Sequence, residues 1–221
     1  MGILKIKGLS YTGAGVLIVE DYYTKNGTVE QCIVVARNTS SGLYSDFGGG
    51  YSAKDKTLEQ TAHKELREES RNLYNIDPKH MKYYVDIPGQ SNNGPPASFY
   101  RAFLVKINGT SRKYFNYNKN LIDTLHLRGT TVPHSWRETD DIAHIPIKYI
   151  DFNSTGFRGK IILKDIDGRD IVLHGRVKKI LNYAQSIMSV LINSNPIARR
   201  KNITIHQSRR WTNKTYSFYA N

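Results

Sequence analysis

The chain has 221 residues, ordinary apolar and charged fractions and a net charge of +13. It is long enough to bury a core without disulfides or structural metal, and no run approaches the roughly 20 apolar residues of a membrane span. Its single cysteine, Cys32, excludes an internal disulfide and a cysteine zinc site, and fits a reducing compartment. Residues 1–15 alternate lysines with apolar residues and lack a signal-peptide core, so the expected location is intracellular, in the cytoplasm. The cationic surplus points to polyanionic partners and to no membrane.

In chain order, Gly15 to Glu20 and Gln31 to Ala36 are β-branched apolar runs joined through Asn26-Gly27, which predicts a hairpin. A polar loop leads to Asp46-Phe47-Gly48-Gly49-Gly50, where three glycines are expected to break regular structure and let backbone approach another group. Thr57 and Gln60 have capping-box spacing, and Leu58, Ala62 and Leu66 then form a helical stripe. That helix is expected to stop near Arg71-Asn72. Strands are predicted at Tyr83–Ile87 and Phe99–Ile107, then a long basic, aromatic loop over 108–136. Ile142 to Ile150 reads as a strand and turn, and Ile161 to Leu173 as a hairpin around Asp167-Gly168. His174 to Ile192 reads as one amphipathic helix. Two divisions are expected: a domain over 1–194, with an insertion at about 108–136, and a basic aromatic tail over 195–221.

The chemistry concentrates in Lys64-Glu65-Leu66-Arg67-Glu68-Glu69. Positions i, i+3 and i+4 share a helix face, so Glu65, Glu68 and Glu69 project together, away from the apolar stripe. Three like charges so placed repel unless a divalent cation lies among them, and carboxylate oxygens suit Mg²⁺ or Mn²⁺. The competing reading is a solvated charged face softened by Lys64 and Arg67.

With its glycine loop the segment resembles the box of the Nudix superfamily. Gly50 is followed by five residues to Lys56, and seven more lead to Lys64 through Asn72 without a gap. Lys56, Lys64 and Arg71 stand where the box has Glu, Arg and Gly, so the bracing residues differ while the three glutamates are kept. The resemblance implies an α/β fold, a Nudix-like α/β/α sandwich with a mixed β-sheet between helices. It implies Mg²⁺ or Mn²⁺ on Glu65, Glu68, Glu69 and the Gly49 carbonyl. It also implies hydrolysis of a diphosphate linkage, with Glu65, Glu138 or Asp141 as general base. A Nudix fold that binds RNA or nucleotides without turnover is the alternative, motivated by the altered braces.

The box does not name the substrate. The basic surplus suggests a nucleotide or polyphosphate, with capped RNA attractive because cations adjoin aromatic residues in two segments. Arg37, Gly50, Arg112, Lys113 and Tyr114 are expected on the substrate, and Arg199, Arg200, Lys201, Arg209, Arg210 and Trp211 on nucleic acid.

Overall fold

The computed structural model describes residues 2–89, 96–109, 112–151, 161–197, 203–205 and 216–218. A ten-stranded mixed sheet carries helices on both faces, the α/β/α sandwich expected. Strands β1 (Leu4–Ile6), β2 (Leu9–Tyr23), β3 (Val29–Asn38), β4 (Tyr44–Ser45) and β5 (Phe47–Gly50) precede helix α1 (Leu58–Glu69). Then come β6 (Tyr83–Pro88), β7 (Phe99–Asn108), α2 (Arg112–Leu127), β8 (Thr139–Pro146), β9 (Ile161–Lys164) and β10 (Asp170–Leu173). Helices α3 (Gly175–Tyr183) and α4 (Gln185–Ile192) follow, then a separate pair of strands, β11 (Ile203–Ile205) and β12 (Tyr216–Phe218).

The long strand β2 organises the sheet. Its C-terminal half pairs antiparallel with β3 through the expected hairpin, and Gly27 of the turn has φ 77°. Its N-terminal half pairs antiparallel with β5, and its other edge runs parallel to β7. The alternation of a strand sends Leu17 and Val19 to one face, with Ile33 and Val35 of β3, and Val16 and Ile18 to the other. The first face is covered by Val177, Ile180 and Leu181 of α3 and by Met188 and Leu191 of α4. The second is covered by Leu58, Ala62 and Leu66 of α1, all fully buried. Each such leucine contributes roughly 1.5–3 kcal/mol, enough to hold a helix whose opposite face carries mutually repelling carboxylates.

Three expectations need correction. The run Gly48–Gly50 does not break the sheet but is strand, paired antiparallel with Gly13–Gly15 of β2, and at Gly48 and Gly49 its neighbours leave no room for a side chain. The region 108–136 is no loop. It holds α2, on which Phe115, Ile122 and Leu125 are buried at helical spacing beside the buried Asn118, followed by a 3₁₀ turn at His134–Arg137. The helix expected over 174–192 is broken at Ala184 (φ −93°, ψ 3°), although its apolar face runs on unbroken. The hairpin around Asp167-Gly168 forms as expected, as do β6, β7 and β8. Among the described residues no helix is long and apolar enough to cross a membrane.

Candidate active site

Helix α1 is fixed at both ends by the side chains the sequence supplies. Thr57 Oγ1 accepts from the Gln60 N–H at 3.2 Å, and Gln60 Oε1 accepts from the Lys56 N–H at 2.7 Å. At the other end Arg71 and Asn72 adopt left-handed φ values of 55° and 59°, and the Asn72 N–H donates to the Arg67 carbonyl at 2.7 Å. Arg71 holds the conformation because its side chain is buried: Nε donates to the Thr139 carbonyl at 3.2 Å and Nη1 to Asp123 at 3.3 Å. Asn118 of α2 completes this end by donating to the Arg71 carbonyl at 3.0 Å.

This anchoring sets the glutamates against the glycine strand. The Gly48 N–H donates to Glu69 Oε2 at 2.7 Å. A Cβ on Gly49 would lie 2.5 Å from Glu65 Oε2, so glycine is what lets this carboxylate reach the β5 backbone. Burial raises the proton affinity of Glu65, Glu68 and, most strongly, Glu69. A hydrogen bond from Ser135 counteracts part of the rise at Glu68, as Lys64 does at Glu65. Glu138 lies close enough to raise Glu65 and Glu68 further. Its Oε1 is 3.1 Å from His134 Nδ1, and it remains partly exposed.

The sheet's opposite helix layer also reaches the site. Arg176 of α3 donates through Nε to Asp46 Oδ1 at 2.6 Å and through Nη2 to the Gly48 carbonyl at 3.1 Å. Its guanidinium stacks 4.6 Å from the Tyr100 ring centroid, and the Tyr100 hydroxyl donates to Asp46 Oδ2 at 2.7 Å. Gly48 is therefore held through both of its backbone groups, its N–H by Glu69 and its carbonyl by Arg176. Nothing in the sequence marked Arg176, Asp46 or Tyr100, because Asp46 and Arg176 lie 130 positions apart and each looks like ordinary surface in its own segment. A cleft of about 320 Å³ opens here, lined among others by Asn38, Ser45, Asp46, Glu69, Glu138 and Arg176.

The donor set suits a hard divalent cation: the partly buried Glu65 and Glu68 and the buried Glu69 lie beside the β5 backbone, each made more basic by burial. It is not gathered in advance, and among the described residues no group of three or more His, Cys, Asp or Glu side chains is arranged to hold an ion. Lys64 accounts for part of this, its Nζ lying 3.0 Å from Glu65 and 3.6 Å from Asp55.

Several expected site residues are elsewhere. Asp141, expected as a candidate base, is engaged by Tyr44, Arg112 and Arg169 and does not line the cleft. Burial alone would raise its carboxyl, but hydrogen bonds from Arg169, Tyr44 and Arg112 hold it below the ordinary carboxylate range, which makes it a poor proton acceptor. Arg112 is correspondingly engaged by Asp141 and Asp167. Arg37 forms a two-pronged pair with Asp140 at 2.8 and 3.0 Å. Gly50 pairs with Gly13 in the sheet, and Tyr114 packs on the α1 side of the core. None of Arg37, Gly50, Arg112 or Tyr114 lines the cleft, and of the expected metal ligands Gly49, Glu65, Glu68 and Glu69 only Glu69 does. The side chain of Lys113, and all of Arg199, Arg200, Lys201, Arg209, Arg210 and Trp211, lie outside the described residues. Cys32 is buried with its thiol pushed up to about 12 by burial, which removes it as a nucleophile.

No family model matches this sequence, and no curated protein matches it. Solved structures similar to it include a Nudix hydrolase, RenU, from M. smegmatis (12% identity, 86% of this chain and 90% of that one, TM-score 0.48). A MutT/nudix family protein from Enterococcus faecalis is similar over 93% of this chain and 73% of its own, at 10% identity and TM-score 0.47. An Ap4A hydrolase from C. elegans is similar over 80% and 98%, at 11% identity and TM-score 0.43.

Proposed function

We propose that the chain is a Nudix-type, metal-dependent pyrophosphohydrolase that cleaves a diphosphate linkage in a nucleotide or polyphosphorylated substrate, capped RNA among the candidates. One observation carries this reading: Glu65 and Glu69 of one helix face are set against the Gly48–Gly49 backbone, with Glu138 close by. Mg²⁺ or Mn²⁺ held by Glu65, Glu68, Glu69 and the Gly49 carbonyl would offset charge on the diphosphate oxygens.

The chain's own residues supply the rest. Glu138 is partly exposed, has no arginine partner among the described residues and stands beside the glutamates, so it is the favoured acceptor of the proton from the attacking water. That water's oxygen bonds to one phosphorus as the bridging P–O bond breaks, and the leaving phosphate departs with the bridging oxygen. Arg176 keeps the Gly48 peptide in place during this exchange.

The alternative, a fold that grips nucleotides or RNA without turnover, is favoured by one contact, the Lys64 ammonium that stands on Glu65 where a metal would bind. Product release with Mg²⁺ or Mn²⁺ against capped RNA, ADP-ribose, NADH, dinucleoside polyphosphates, nucleoside triphosphates and diphosphoinositol polyphosphates separates the two. Turnover of one class that disappears in Glu69→Gln supports the hydrolase. Tight binding with no product across the set supports the alternative.

A further inference from the structure

A second cavity, of about 460 Å³, lies across Arg176 from the carboxylate cleft. Arg176 and His174 line both, so one side-chain wall separates them. The two differ in chemistry. The first holds Asp46, Glu69 and Glu138, whereas among the described residues no acidic one lines the second. Its walls are Ile87, Pro88, Phe99, Tyr100 and the stem of α3, with Arg176 and Lys179 as cations. The Lys179 ammonium makes no ion pair among the described residues, and Arg176 leaves Nη1 without a hydrogen bond among them. An apolar, aromatic-walled cavity with cations and no carboxylate suits a flat ring carrying an anion, and its size is within the range of small-molecule sites.

We infer that this second cavity is the subsite for the nucleoside monophosphate half of the substrate, which straddles the His174–Arg176 wall so that its diphosphate lies over the glutamates. The inference deepens the hydrolase reading and rests on it for the position of the reacting bond. Two residues report on the subsite without touching the glutamates. Lys179 supplies its cation. Gly175 lines it, and a Cβ there would meet nothing within 4 Å, so a large side chain can be added at the cavity's edge with no clash at its root.

The test is binding of AMP and of ribose 5-phosphate to the full chain by calorimetry, without divalent cation, in the wild type, Lys179→Glu, Gly175→Trp and Glu69→Gln. AMP is expected to bind more tightly than ribose 5-phosphate. Lys179→Glu and Gly175→Trp are each expected to weaken AMP binding tenfold or more with unchanged melting curves, and Glu69→Gln to leave it within about twofold. No AMP binding at millimolar concentration, or binding indifferent to both substitutions, overturns the inference. If AMP binding follows this pattern while no diphosphate is hydrolysed, the subsite stands and the hydrolase reading fails. If a nucleotide diphosphate is hydrolysed with a KM unaltered by Lys179→Glu and Gly175→Trp, the reverse holds.

Discussion

Glu69 accepts the Gly48 N–H at 2.7 Å while Arg176, from the helix layer on the other face of the sheet, accepts nothing and donates to the carbonyl of the same glycine at 3.1 Å. The relationship ties α1 to α3 through the two backbone groups of one residue, Gly48. Arg176→Ala is expected to lower turnover about 10- to 100-fold, the usual cost of losing a group that orients metal-binding side chains. Arg176→Lys should recover little, since a single ammonium cannot reproduce a planar fork that serves Asp46 and Gly48 together. Steady-state rates on the substrate class that the product-release panel turns over check this, and a full rescue by Lys would contradict the clamp.

Gly49→Ala tests the approach of Glu65 to the strand. The added Cβ would sit 2.5 Å from Glu65 Oε2, the mobile end of a side chain, so the carboxylate yields and the backbone need not. The expected result is a melting temperature within a few degrees of wild type with activity reduced about tenfold or more. Unchanged activity would show that the position of Glu65 against β5 is unimportant.

At Arg71 two effects of opposite sign compete. Glycine would relieve roughly 1 kcal/mol of left-handed backbone cost. It would also delete hydrogen bonds from a buried guanidinium to Thr139 and Asp123, worth about 1.5–3 kcal/mol each, and leave a cavity. Arg71→Gly is therefore expected to destabilise by roughly 2–4 kcal/mol, although the Nudix box has Gly there. Denaturant midpoints measure it, and a gain in stability would refute the account of this helix end.

Asp141 predicts a pH dependence of stability. Its folded pKa lies below the ordinary value of 3.8 because Arg169, Tyr44 and Arg112 outweigh burial. A depressed carboxylate contributes stability that is fully present above the unfolded pKa and is lost as pH falls through the folded one. Melting curves from about pH 6 to pH 2.5 should therefore fall less steeply below about pH 4 in Asp141→Asn than in wild type. Identical acid limbs would contradict the assignment.

The features set by local spacing were the ones legible in the sequence. Glu65, Glu68 and Glu69 share a face because i, i+3 and i+4 always do, and Thr57 and Asn72 carry the cap chemistry of their own helix. What escaped depends on distant partners. The run Gly48–Gly50 is strand because it pairs with β2, and Gly48 and Gly49 are glycine because Tyr100, Gly15 and Glu65 fill the space where side chains would go, which no local pattern reveals. Helix α2 was hidden by Asn118, a polar residue buried in its apolar stripe to serve the Arg71 carbonyl. Asp141 and Glu138 looked equivalent in one acidic run, and only the arginines arriving from α2 and the β9–β10 turn separate them.

The central claim is that Glu65, Glu68 and Glu69 form a metal-dependent hydrolytic centre. The most direct measurement is the rate of diphosphate cleavage as Mn²⁺ is titrated into wild type, Glu68→Gln and Glu69→Gln. The account predicts saturable activation of the wild type, with rates reduced at least about 100-fold in each variant and melting curves retained. Full metal-activated cleavage in either variant would contradict it.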